Sequence, residues 1–191
     1  MILNPKRGLA HKRLIINEKL YLELVQLSDA EIIFNTIDIQ RKYLGEWLPF
    51  VSFIKNLADE ENFIKSALET MEQTKEYIFC IRKEDEFVGL ISFIKTDKLN
   101  QRTEIGYWIS ETYQKQGIAT RATKRMCEFA FTEMGMNRVQ IRCAVGNLPS
   151  KNIPKRLGFI FEGIERQGER VSENVFRDLE VYSILKSEMV E

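Results

Sequence analysis

The sequence of 191 residues contains a single histidine, His11, and only three cysteines. With one histidine placed near the N-terminus, we expect no Ser-His-Asp triad, no Cys-His pair and no multi-histidine metal site. Cys80, Cys127 and Cys143 are widely spaced within apolar runs and form no Cys-x-x-Cys pair, so neither a zinc knuckle nor a disulfide framework is supported. We therefore predict buried, reduced thiols and a catalytic base other than imidazole.

The chain also lacks net charge, since 28 Lys and Arg residues balance 28 Asp and Glu residues. A neutral chain has no general electrostatic field that would attract nucleic acid or a membrane, so we expect neither as a direct partner. The early basic run of Lys6, Arg7, His11, Lys12 and Arg13 is interpreted as a solvated N-terminal arm.

Long apolar runs are missing as well. No run reaches the roughly 18 apolar residues of a membrane span, and the N-terminus lacks the continuous apolar segment of a signal peptide. We therefore expect a cytoplasmic protein. The length, with 44% hydrophobic and 29% charged residues, is typical of one globular domain. No linker, repeat or low-complexity segment divides the chain, so we expect a single domain over residues 1–191.

The order of the predicted elements indicates one mixed α/β sheet. Helices come first and begin at the capping box Ser28-Asp29-Ala30-Glu31. A meander of strands follows, and strands then alternate with helices, which places helices against a single sheet. The predicted strands are 20–24, 77–82, 87–95, 103–109, 138–145, 159–165 and 177–185, and the later predicted helices are 39–44, 59–72, 118–134 and 150–157.

One loop between a predicted strand and a predicted helix has the spacing Gln-x-x-Gly-x-Ala. It reads Gln114-Lys115-Gln116-Gly117-Ile118-Ala119-Thr120. Gly117 lets the backbone approach a ligand without an intervening side chain, and the helix behind it offers unpaired N–H groups and a positive dipole end. Together they predict a pyrophosphate site, although a glycine before a helix is also typical of a simple turn. The loop matches neither a P-loop nor a G-x-G-x-x-G dinucleotide site.

This loop and the segments after it resemble those of the GNAT acetyltransferases. That family has (Gln/Arg)-x-x-Gly-x-(Gly/Ala) after its fourth strand, then a long helix, a fifth strand, an asparagine loop and a helix ending in Leu-Gly-Phe. The same features follow here in order, with Asn147 and then Leu157-Gly158-Phe159. The resemblance implies the GNAT fold, a mixed and mostly antiparallel central sheet flanked by helices. In that fold two parallel strands splay apart to bind acetyl-coenzyme A, and no metal is needed.

Within that family, the sequence resembles the ribosomal-protein alanine N-acetyltransferases of the RimJ/RimL type. The resemblance implies acetyl transfer to an amine, with the N-terminal α-amine of a protein as the first candidate. Direct attack in a ternary complex is favoured because no candidate nucleophile is activated by a base. A small amine acceptor (polyamine, amino acid or aminoglycoside), a coenzyme A-binding sensor without activity, and a homodimer stay open. The matching segments are Trp47-Leu48-Pro49, Glu104-Ile105-Gly106-Tyr107-Trp108-Ile109, Asn147-x-x-Ser150, Phe161-Glu162-Gly163 and Asp178-x-x-x-Tyr182.

The resemblance also implies a set of cofactor-binding residues. A backbone N–H of Trp108 or Ile109 would stabilise the charge on the thioester oxygen, while the Trp108 side chain is predicted to lie in the core. Asn147 would bond the amides of the pantetheine arm, or it is a turn residue. The full predicted set is Trp108, Ile109, Gln114, Lys115, Gln116, Gly117, Ile118, Ala119, Thr120 and Asn147.

One position departs from the family pattern. Many members carry a tyrosine seven residues after the loop asparagine, where it protonates the leaving thiolate. This sequence has Pro154 at that position, so another group or water must supply the proton. Ser150 is the candidate from the resemblance, but its place before Lys151 also predicts a helix N-cap, and both roles can hold.

Carboxylates are the candidates for the base that deprotonates the acceptor amine. Glu169 ranks first, because the resemblance aligns it with a glutamate thought to hold a water near the amine. Glu104, on the strand expected to line the cleft, ranks second, and Glu162 is a third candidate. Each of the three could instead be a solvated surface carboxylate.

Overall fold

Eight strands of the described residues, 13–189, form one sheet in the computed structural model. The sheet order is β1-β2-β3-β4-β5-β6-β8-β7. Neighbouring strands are antiparallel except β5 and β6, which are parallel. The elements are β1 (Arg13–Asn17), β2 (Leu20–Leu24), α1 (Ala30–Ile39), α2 (Arg41–Gly45), α3 (Leu57–Thr74), β3 (Ile78–Lys83), β4 (Glu86–Asp97), β5 (Arg102–Ile109), α4 (Ile118–Thr132), β6 (Arg138–Ala144), α5 (Leu148–Arg156), β7 (Ile160–Ser172) and β8 (Val175–Leu185).

Helices pack on both faces of this sheet. On one face, Phe93 of β4 stacks on Phe129 of α4 with 6.0 Å between ring centroids, and Phe79 of β3 meets the same ring edge-on. On the other face, Arg82 of β3 binds Asp29, the residue before α1, at 2.5 Å. Successive strand residues point to opposite faces, so α1 and α4 enclose β3 and β4 between them. Because helices cover both faces of β3, its first four residues, 78–81, are apolar on both faces.

The two parallel strands separate after a short paired segment. β5 and β6 pair through Arg102–Arg138, Thr103–Val139 and Glu104–Gln140. Beyond Glu104, β5 continues to Ile109 in register with β4 alone, and β6 continues in register with β8. An opening about 16 Å long, at roughly 3.3 Å per residue, therefore lies between their C-terminal halves. The predicted mixed sheet with splayed parallel strands is confirmed.

Two features at the N-terminal end differ from the prediction. Arg13 begins β1, an edge strand that was not predicted because Leu14 alone among its five residues is fully buried. The other members of the basic run lie outside the described residues. The prediction of a capping box at Ser28 is wrong. A 3-10 turn precedes α1, and the Asp29 carboxylate accepts from the Gln26 N–H at 2.8 Å.

The last two strands are longer than predicted. The charged segment 166–170 lay outside the predicted strands, but it belongs to β7, which lies at the edge of the sheet and is mostly exposed along its length. An edge strand tolerates charge on both sides. A bulge occurs there, where Gln167 has φ 51° and its N–H donates to Asp178 at 2.8 Å.

Other sequence predictions concern burial and membranes. The three cysteines are free and buried, as predicted. Trp108 is also buried, and its ring meets Phe87 edge-on with 5.7 Å between centroids, so its predicted place in the core is confirmed. Among residues 13–189, no helix has the length and apolar character needed to cross a membrane.

Candidate active site

The loop between β5 and α4 presents its backbone at the open end of the splayed strands. Lys115 and Gly117 have φ values of 60° and 69°, in the left-handed region, and Gly117 is the N-cap of α4. A Cβ built on Gly117 would meet no atom within 4 Å, so neighbouring side chains do not require glycine there. The first N–H groups of a helix have no intrahelical acceptor. The loop and the start of α4 therefore direct several backbone N–H groups at free space, and this arrangement suits a phosphate.

Gln40, between α1 and α2, fixes the start of this loop. Its side-chain Nε2 donates to Ser110 Oγ at 2.8 Å, and its Oε1 accepts from the Glu111 N–H at 2.9 Å. Both side-chain polar atoms of one residue thus hold two consecutive loop residues. The helical layer on the far face of the sheet is thereby connected to the loop.

The two glutamines of the loop bind protein groups. Gln114 donates to the Tyr43 hydroxyl of α2. Gln116 accepts from Lys83 Nζ at 2.8 Å through its side chain, and from Arg121 at 3.3 Å through its backbone carbonyl. These side chains shape the loop, so the contribution left for a ligand comes mainly from backbone N–H groups.

A cavity of about 480 Å³ adjoins the loop. Its lining includes Glu18, Lys19, Lys83 and Arg121. Lys19 pairs with Glu84, while Lys83 and Arg121 contact Gln116. Positive charges beside the loop favour a negatively charged ligand there.

The β4–β5 register decides which β5 backbone groups face the opening. Ser110 N–H donates to the Val88 carbonyl at 2.9 Å, so the Gly89–Ile109 pair is a non-hydrogen-bonded pair. Because such pairs alternate with hydrogen-bonded ones, the Trp108 N–H is used within the ladder and the Ile109 N–H points away from β4. Of the two predicted oxyanion donors, Ile109 is the one directed towards the opening.

The start of α5 differs from the prediction. The helix begins at Leu148, and its N-cap is Asn147, whose Oδ1 accepts from the Ser150 N–H at 3.1 Å. Ser150 is the third residue of the helix, so its predicted N-cap role is wrong and its hydroxyl is not used in capping. Pro154 lies inside the helix rather than at its start.

A tyrosine that sequence reasoning did not select contacts this serine. The Tyr107 hydroxyl donates to the Ser150 carbonyl at 3.0 Å and lies 3.3 Å from Ser150 Oγ. Burial raises the pKa of Tyr107, which keeps the phenol neutral. Strand alternation was the available signal. Tyr107 lies on the same face of β5 as Ile105, which pairs with Phe93 of β4, and Phe93 packs against α4.

Glu104 lies at the fork of the two strands, on the face opposite Tyr107. It is 4% exposed, and its carboxylate accepts from Gln140 Nε2 at 2.9 Å and from Arg142 Nε at 2.8 Å. Arg142 also binds Glu165 of β7 at 2.8 Å. Glu104 is therefore a buried carboxylate paired with Arg142, on the side of the opening away from α4 and α5.

Glu169 of β7 is bound to Arg177 of β8 at 2.6 Å. Arg177 also donates to the carbonyl of Glu46, at 3.3 Å, and to that of Trp47. This group ties the β7–β8 hairpin to the segment after α2. The position of Glu169 at that junction fits its predicted role as a base, and its ion pair with Arg177 fits a structural role equally well.

Glu162, the third candidate, is held by two hydrogen bonds of 2.6 Å from Arg138 and one of 2.8 Å from Ser183. The hydrogen bonds from Arg138 are the main cause that lowers the pKa of Glu162. A more acidic, paired carboxylate is a poorer base, so Glu162 remains last in rank.

Comparisons with known proteins agree on one family. Residues 19–160 match the family described as an acetyltransferase (GNAT) domain. A putative ribosomal N-acetyltransferase of Bacillus subtilis (strain 168), YdaF, is 32% identical over 177 residues, which cover 91% of this chain and 94% of that protein. A ribosomal-protein-serine acetyltransferase of Escherichia coli (strain K12) is 29% identical over 168 residues, 88% of this chain and 93% of that protein.

Solved structures show the same fold. A ribosomal-protein α-N-acetyltransferase, RimL, in complex with coenzyme A superposes with a TM-score of 0.86. The superposition covers 91% of this chain and 98% of that chain at 20% identity, so this likeness concerns the fold alone. The family match, the relatives that align over nearly their full length, and the splayed sheet all lead to one conclusion. The chain belongs to the GNAT family and is an N-acetyltransferase that uses acetyl-coenzyme A.

Proposed function

We propose that this protein acetylates the α-amine of a protein N-terminus by direct attack in a ternary complex. The observation that carries the proposal is the two-sided opening between β5 and β6. Tyr107 and Ser150 lie on the face with α4 and α5, whereas Glu104 lies on the opposite face. Donor and acceptor can therefore approach the same gap from opposite sides, with no covalent enzyme step.

The acyl donor fits the loop and the helix face. Backbone N–H groups of residues 116–119 would hold the pyrophosphate, with the cations of the adjoining cavity nearby. The Asn147 side-chain nitrogen, which its capping role leaves unused, would bond the pantetheine arm. Acetyl-coenzyme A supplies the acetyl group as a thioester at the opening, where the Ile109 N–H would stabilise the charge that develops on oxygen.

The acceptor class follows from the available bases. An α-amine has a pKa of about 7.7 to 8.0 and a lysine amine about 10.4, so at pH 7.5 the neutral fraction is roughly 300 times larger for the α-amine. The candidate bases are carboxylates held by arginines, at Glu169 and Glu104. Weak bases of this kind suit an amine that is already partly neutral. The ribosomal-protein acetyltransferases among the relatives support the same class of acceptor.

A panel of amines tests this proposal. We expect kcat/KM at pH 7.5 to be at least about 100-fold higher for a peptide with a free N-terminus than for the same peptide N-terminally blocked and bearing one lysine. Spermidine should also be a poor substrate. Rates are measured as release of coenzyme A thiol, and mass spectrometry locates the acetyl group.

Two outcomes would contradict it in different ways. Preference for the internal lysine or for spermidine would replace the acceptor and keep the enzyme class. Tight binding of coenzyme A with no turnover on any amine would favour the sensor alternative.

A further inference from the structure

Pro154 deprives one backbone carbonyl of α5 of its normal partner. In an α-helix each carbonyl accepts from the N–H four residues later. The residue four after Ser150 is Pro154, which has no N–H, so the Ser150 carbonyl has no intrahelical donor. Ser150 is half-buried, and a carbonyl in such a place that lacks its helical donor is stabilised when a group from outside the helix donates to it.

The Tyr107 hydroxyl supplies that donor. It reaches the Ser150 carbonyl at 3.0 Å from β5, across the opening from β6. The phenol thus joins β5 to α5, the helix that follows β6 in the chain. Proline at position 154 and tyrosine at position 107 therefore form a matched pair, in which one removes a donor and the other restores it.

The same hydroxyl lies 3.3 Å from Ser150 Oγ. The Tyr107 hydroxyl of β5 therefore contacts α5 at both the carbonyl and the hydroxyl of one residue. The phenol has one proton, which it donates to the Ser150 carbonyl, so in the contact with Oγ the Ser150 hydroxyl donates and the phenol oxygen accepts. Because the carbonyl and Oγ belong to the same residue, the phenol O–H can turn to Oγ when the serine proton leaves.

We propose that Tyr107 is a positioning residue that holds Ser150 Oγ in place to give its proton to the leaving sulfur. This inference rests on the proposed roles of the site. In the reaction the carbon–sulfur bond breaks as the carbon–nitrogen bond forms, and the base takes the proton of the amine. The sulfur takes the Ser150 proton, which solvent replaces. The phenol keeps its own proton throughout: as the Ser150 proton leaves, the phenol O–H turns from the Ser150 carbonyl to Ser150 Oγ and stabilises that oxygen.

Tyr107→Phe removes the hydroxyl and keeps the ring. We expect kcat with a free-N-terminal peptide to fall about tenfold, with KM for acetyl-coenzyme A within about twofold of the wild type. The melting temperature should also fall, since the Ser150 carbonyl loses its donor. An unchanged kcat would overturn the proposal.

Adding Pro154→Ala separates the two effects. Alanine at position 154 restores the N–H that the Ser150 carbonyl lacks, so the melting temperature of the double variant should recover towards that of Pro154→Ala alone. The proposal predicts that kcat of the double variant stays about tenfold below that of Pro154→Ala. If kcat recovers together with the melting temperature, Tyr107 is purely structural and the proposal is wrong.

The Ser150→Ala background tests the route of the effect. If Tyr107 acts through Ser150, then Tyr107→Phe should lower kcat less than twofold in that background, whereas it lowers kcat about tenfold in the wild type. A full tenfold loss in both backgrounds would overturn the proposal. Wild-type turnover on the same free-N-terminal peptide is measured in parallel, so failure of the acceptor assignment is seen separately from failure of this inference.

Discussion

Gly117→Val is expected to weaken the binding of acetyl-coenzyme A by at least about 100-fold while the protein stays folded. The side chain would enter space that contains no atom within 4 Å of the added Cβ and that faces the donors of the loop. A branched side chain also disfavours the left-handed conformation, φ 69°, that directs those donors. A 100-fold loss corresponds to about 2.8 kcal/mol, which is reasonable for losing close backbone contact with a pyrophosphate.

Gly135→Val is a matched control for this variant. Gly135 follows the other end of α4, has φ 71°, and its Cβ would likewise meet nothing within 4 Å. It should show similar backbone strain in thermal unfolding, with unchanged affinity for coenzyme A. Calorimetry that finds wild-type affinity in folded Gly117→Val would contradict the placement of the pyrophosphate on this loop.

Glu169→Gln is expected to lower kcat/KM for a free-N-terminal peptide by roughly 100-fold at pH 6.5, the lower end of the range for general bases. The loss should shrink as pH rises past the α-amine pKa of about 7.7 to 8.0, because the amine then deprotonates without help. Glutamine can still accept from Arg177, so the contacts of Arg177 with residues 46 and 47 should persist. The measurement is a pH–rate profile of both forms.

Two further variants complete this experiment. Glu23→Gln removes another arginine-paired carboxylate, on β2 and paired with Arg13, and should leave the profile unchanged. If Glu169→Gln matches the wild type at every pH, Glu169 is not the base. The pH-dependent loss should then appear in Glu104→Gln, whose carboxylate is buried at the fork.

Local sequence patterns were sufficient to predict the loop and the mixed sheet, whereas the splayed parallel strands were implied by the resemblance to the GNAT family. The turn before α4 depends on one glycine and one helix start, and both are visible in the spacing from Gln114 to Ala119. The mixed sheet follows from the order of predicted strands and helices along the chain. Each of these features is set by residues close together in the chain, where propensity and periodicity are informative.

Features that depend on contacts distant in sequence were not predicted. The Tyr107–Ser150 contact joins residues 43 positions apart; strand alternation places Tyr107 on the face towards α4, but it does not indicate which residue the hydroxyl contacts. The sequence pointed to Pro154 as a departure, but only the packed helix reveals which carbonyl loses its donor. Likewise the second half of β7 was not predicted as a strand, because an edge strand receives its hydrogen bonds from β8 and needs no apolar face of its own.

The central claim is that the acetyl group passes through the gap between β5 and β6, from a donor on one face to an acceptor on the other. A crystal structure with a bisubstrate compound, in which the coenzyme A sulfur is joined through an acetyl linker to a peptide α-amine, tests it most directly. The account predicts a diphosphate bonded to the backbone N–H groups of residues 116–119. The linker should lie in the gap beside Ser150, and the peptide on the face that carries Glu104. A diphosphate bound away from this loop, or a linker outside the gap, would contradict the account.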